Sequence, residues 1–171
     1  MKDLQTALRE SAPFIEKGNG TPELFAAWML AAVAGFDAQD NGRIALDPEA
    51  ILDGRRRALE HIHVLPDGTS SAEDRIVQEI RSRIASKTDD DAHELVVFIE
   101  GLGTDWFATR VAERLPNPVR FDAVWVITRQ KSRPGEYVYG VSQLDLSAGH
   151  CPVWFITIGR KFDRWTVRQI N

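Results

Sequence analysis

Leu95-Val96-Val97-Phe98-Ile99 is an unbroken apolar run that follows an acidic break, Lys87-Thr88-Asp89-Asp90-Asp91. Five apolar residues in a row, bounded by polar segments, read as a strand covered on both faces. Beyond it, Gly101-Leu102-Gly103 turns the chain, and Thr104-Asp105 can cap a helix whose face includes Phe107, Val111 and Leu115. Pro116 and Pro118 end that helix. Four further strand-like runs follow, at 121–128, 137–144, 153–158 and 164–170. The segments between them are short and hold turn residues such as Arg133-Pro134-Gly135 and Ser147-Ala148-Gly149, which favours an antiparallel meander. The run 121–128 is apolar on both parities and belongs near the middle of the sheet.

Working back from the acidic break, the chain reads as helices. Thr21-Pro22-Glu23 and Asp47-Pro48-Glu49 each combine a capping residue, a proline at the first helical position and an acid in the first turn. The first opens an Ala-rich helix that is nearly all apolar through Phe36, and the second a helix through about residue 60 or 61. Ser70-Ser71-Ala72-Glu73 matches a capping box, and Ile76, Ile80 and Ile84 then recur along one face. A short helix near residues 3–10 is also expected. The expected class is therefore α+β: N-terminal helices packed on one face of a β-α-β-β-β-β, mostly antiparallel C-terminal sheet. Helices of this length cannot hide their apolar faces alone, so a single domain over 1–171 is expected, helical to about 87 and mixed β from about 93.

The 171 residues carry a net charge of −4, which is unevenly placed. Residues 1–92 hold 11 Lys+Arg against 17 Asp+Glu, and residues 93–171 hold 10 against 8. The weakly basic second half argues against a nucleic-acid footprint and leaves room for a local basic patch. One Cys excludes an intramolecular disulfide framework and thiolate-rich metal centres. The most apolar run, 24–36, is too short to span a bilayer, and the first residues lack a signal peptide's apolar region. A cytoplasmic protein with no membrane contact is expected. Neither a Gly-x-Ser-x-Gly elbow, a Walker loop nor a His-Glu-x-x-His helix is present, and no cofactor is called for.

Candidate chemistry is sparse. Asp37-Ala38-Gln39-Asp40-Asn41-Gly42-Arg43-Ile44 resembles the start of an EF-hand loop, with Asp37, Gln39 and Asn41 at the first three ligand positions, Gly42 at the sixth and Ile44 at the eighth. The resemblance covers this one loop. Its twelfth position, where a closing acid belongs, is Pro48, so weak calcium affinity is implied and the stretch reads as a turn. His61 and His63 fall at the expected helix end, where a histidine interacts favourably with the dipole. His150 and Cys151 are adjacent and point to opposite sides of an extended segment, so they cannot form a dyad with each other. Glu100, at a strand's end, leads the candidate acids and bases, followed by Asp122 and His150.

The strands also carry aromatics among arginines. Trp125, Arg129, Tyr137, Tyr139 and Trp165 are the expected partner or ligand surface, with Tyr137, Tyr139 and Trp165 partly exposed because their strands are the more polar. The function expected is a non-catalytic binding or regulatory protein that engages a protein partner through its sheet. The alternative is an enzyme or receptor with a small-molecule pocket between sheet and helices, in which Glu100, Asp122 or a histidine acts as acid or base.

Overall fold

A computed structural model describes residues 3–18, 22–40, 48–64, 71–87, 94–99, 108–116, 120–130 and 133–170, with side chains at all of these except 37–40, 48, 55–58 and 72. The elements are α1 (Leu4–Glu10), α2 (Ala12–Lys17), α3 (Pro22–Asp40), α4 (Pro48–Ala58), β1 (Leu59–Val64), α5 (Ala72–Ser86), β2 (Glu94–Ile99), α6 (Ala108–Glu113), β3 (Ala123–Gln130), β4 (Glu136–Gln143), β5 (Val153–Gly159) and β6 (Trp165–Gln169). The class is α+β, as the sequence implies.

The six strands lie side by side in chain order. β1-β2-β3 are parallel, joined through α5 and α6, and β3-β4-β5-β6 are antiparallel. β1 corrects one expectation: residues 59–64 form an edge strand rather than a helix end, and α4 passes into it with no intervening residue. No Gly or Pro punctuates Arg57-Ala58-Leu59, so the local pattern continues a helix that tertiary pairing with β2 stops.

A second correction concerns the layers, because helices lie on both faces of the sheet. On the first face, α1–α4 cover every strand. Ten consecutive α3 residues, Leu24 to Val33, are buried. They share a core with Phe98 of β2, Trp125 and Ile127 of β3, and Ile156 of β5. On the second face, α5 packs Ile76, Val77, Ile80 and Ile84 against Val64, Leu95, Val97 and Val126, and α6 adds Val111. This second layer covers the parallel half of the sheet. β2 is therefore buried on both faces, as its unbroken apolar run requires.

Caps set the helix starts. The Asp3 carboxylate accepts from Thr6 N at 2.7 Å, and this bond holds the Asp3 pKa below the usual carboxylate value. Ser71 accepts from Asp74 N at 3.1 Å at the start of α5. α2 ends at Gly18, whose φ of 70° is a left-handed cap that a side chain would strain.

Trp28 on the first face and Ile80 on the second are fully buried. Trp28→Ala should cost roughly 3–5 kcal/mol and Ile80→Ala roughly 2–5 kcal/mol. With one cooperative domain, each lowers the midpoint of a single urea transition followed by both far-UV circular dichroism and tryptophan fluorescence. Two separated transitions would mean that the two layers fold independently.

Candidate functional site

Strand register decides which sequence-expected residues can meet a ligand. Cross-strand pairs share a face, so the row Phe98, Ile127, Val141 and Trp154 faces α1–α4, while Val126, Ser142 and Val153 face the other side. Trp125, Arg129, Tyr137, Tyr139 and Trp165 all have the parity of the helix-covered first face. Trp125 is 6% exposed, and its indole N–H donates to a Glu94 carboxylate oxygen at 3.4 Å. Tyr139 is also 6% exposed and meets Phe25 edge-on at 5.0 Å, so its expected exposure is corrected. Tyr137 and Trp165 are half-buried; Tyr137 stacks on Phe162 at 5.6 Å, and Trp165 meets Trp28 edge-on at 5.5 Å. Arg129 is exposed, yet its guanidinium donates to Ile15 O at 3.2 Å and lies 5.2 Å above the Tyr137 ring. These side chains join the helical layer to the sheet.

The antiparallel half presents a different surface on its second face, where α6 meets only the β4–β5 end among the described residues. Thr128, Gly140, Phe155 and Arg168 form one register row across β3 to β6. A Cβ at Gly140 would crowd Thr128 Oγ1 at 3.0 Å and would touch the Phe155 ring at 3.4 Å. The Arg168 guanidinium lies over the Phe155 ring, 5.9 Å from its centroid and in cation–π range. Val138, Val153, Phe155 and Thr157 are half-exposed here, and Thr166 and Arg168 are exposed. Ile170, 45% exposed, follows on the same parity. The Arg164 side chain covers Gly159, which leaves no room for a Cβ.

The other candidates are scattered. Asp122 is exposed just before β3 and lines an open cleft of about 640 Å³ between α6 and the ends of β3 and β4. Its walls include Leu115, Phe121 and Leu144, with Glu113 and Asp145 as further acids. His150 is exposed in the β4–β5 connection. Cys151 beside it is fully buried, and its backbone N–H donates to Thr109 Oγ1 at 3.1 Å. Burial, with the Asp145 and Glu113 charges adding to it, raises the thiol above its ordinary pKa. His61 and His63 lie on one side of β1. His61 Nδ1 is 3.2 Å from a Glu23 carboxylate oxygen, and His63 stacks on Phe98 at 5.1 Å.

Glu100 lies outside the described residues, as does Asn41. Asp37 and Gln39 are in the last turns of α3, with side chains outside the description. Among the described residues, no three His, Cys, Asp or Glu side chains converge as a metal site, and no helix is long and apolar enough to cross a membrane. Comparison of the chain with protein families, curated proteins and solved structures finds no match.

Sequence reading by residue type counts Phe155 and Arg168 among the strand aromatics and arginines without selecting them for the surface, and it passes over Gly140. A usable signal was present: in β4 one parity is Tyr137, Tyr139 and Val141 and the other is Val138, Gly140 and Ser142, so the bulkier set turns inward.

A raised, buried thiol has a direct consequence. Cys151 should react with a disulfide probe such as DTNB at pH 8 far more slowly in the native protein than in urea. Equal rates in the two states would show that the thiol is accessible.

Proposed function

We propose that this chain is a non-catalytic binding or regulatory protein that engages a protein partner through its β-sheet. The observation that carries the reading is the solvent contact of β5 and β6 on the second face, where no described helix covers Phe155, Thr157, Thr166 or Arg168. The first face of these strands is packed under α1–α4, while the second face leaves Val153, Phe155 and Ile170 in contact with solvent beside Arg164 and Arg168. Apolar and aromatic side chains flanked by arginines are the composition of an interface centre. The cation–π contact with Arg168 favours one position of the Phe155 ring before any partner arrives, which lowers the ordering cost of association.

A photo-crosslinking residue placed at Thr157 tests this reading in cells. A defined adduct should form from Thr157 and not from Gln78, an exposed site on α5. Combining the probe with Phe155→Ala and Arg168→Glu should abolish the adduct, with circular dichroism unchanged. Adducts of equal yield from both positions, or none from Thr157, would refute the assignment.

The cleft beside Asp122 supports the second reading, a small-molecule site between sheet and helices. In that case a bound compound would perturb the amide NMR signals of Leu144 and Asp145 while leaving those of Thr157 and Thr166 in place. Shifts at Thr157 and Thr166 alone would count against the cleft.

A further inference from the structure

We infer that the partner of the open face is an acidic, extended protein segment that adds to β6 as a seventh strand. This rests on the reading above and names the partner's chemistry. β6 is the outer strand of the antiparallel half. The bonds from Gly159 N to Arg164 O (3.0 Å) and from Ile170 N to Val153 O (2.9 Å) fix the phase of its ladder. Residues 164, 166, 168 and 170 turn their peptide groups toward β5, so Trp165 and Val167 turn theirs outward. Among the described residues no backbone group meets those outward N–H and C=O groups. An unpaired edge of this kind is a template for an incoming strand.

Charge selects the occupant. From Arg160 to Ile170 the chain carries Arg160, Lys161, Arg164 and Arg168 against one acid, Asp163. Arg164 and Arg168 lie on the open face, and neither has an acidic partner among the described residues. An incoming strand with acids on that parity places carboxylates beside both arginines, where opposite-charge cross-strand pairs stabilise. Its alternate side chains fall beside Trp165 and Val167, which pack on the first-face core, and are best apolar. A second copy of β6 would set arginine near arginine, which disfavours self-pairing. A nucleic acid would satisfy the cations but not the row of peptide groups.

The test uses the full chain and a short fluorescent peptide that alternates Glu and Val, followed by anisotropy. Saturable binding that weakens as salt rises is expected. Arg164→Glu with Arg168→Glu should weaken it about fivefold or more, since each pair contributes at the scale of a cross-strand ion pair. Arg168→Lys should retain most of the binding, and circular dichroism checks that each variant is folded. The same peptide N-methylated at alternate amides on its pairing edge should not bind, nor should a version with Lys in place of Glu. Failure of the Glu/Val peptide to bind would overturn the inference. So would equal binding of the N-methylated peptide or of oligouridylate, which would make the strip a general polyanion surface. Closure of the edge by a dimer, seen in sedimentation, would overturn it too. A Thr157 adduct without peptide binding would leave the face reading in place and remove only this inference.

Discussion

The packing of α3 on the sheet is the contact on which the rest of this structure depends. A helix apolar around most of its circumference has to be covered on more than one side. α3 meets that demand by lying between α1, α4 and the strands. Phe25 contacts both Phe98 of β2 and Tyr139 of β4, and Trp28 reaches Trp165 of β6. One helix thus touches strands from the parallel and the antiparallel halves. Because strand side chains alternate, committing one parity to α3 sends the other to the opposite face along the same strands. Whatever that opposite face does is fixed by this choice.

Over β1–β3 the opposite face is closed as a consequence of topology. Parallel strands need crossover connections, and α5 and α6 are those crossovers. Their apolar stripes cover Leu95, Val97 and Val126. The hairpins joining β3 to β6 need no helix, and none of the described helices lies between these strands in the chain. The side chains match this difference: β2 is apolar on both parities, whereas on the second face β4 carries Gly140 and Ser142, which are buried, and β5 carries the half-exposed Thr157. The open face is built from the same alternation that forms the core.

Much of the fold was legible in the sequence because its signals were local. Capping residues marked α3, α4 and α5, and the strand-like runs fell within about two residues of β2 through β6. β1 was not legible, since Leu59-Glu60-His61-Ile62-His63-Val64 continues a helical segment without a breaker. Its strand state comes from pairing with β2, a partner thirty-five residues away in register. The candidate surface was legible only in part. Aromatic strands among arginines identified the region, but residue type selected Trp125 and Tyr139, whose parity is the buried one. Large aromatics are the side chains a core takes first, so their presence on a strand points inward unless the opposite parity is bulkier still.

The two edges of the sheet differ in a way that bears on partner choice. At β1, Glu60 pairs with Arg83 of α5 on one face and His61 pairs with Glu23 of α3 on the other. Glu60 and His61 of that edge are thus engaged by the chain's own helices. At β6, Arg168 lies over the Phe155 ring and Arg164 lies across Gly159, with no acidic partner for either among the described residues. A cation resting on an aromatic face keeps its charge available to a carboxylate approaching from solvent, because the ring attracts it without neutralising it. Arginines on an outer strand also oppose pairing with another like strand. The same residues that discourage pairing with a like strand therefore favour an acidic one.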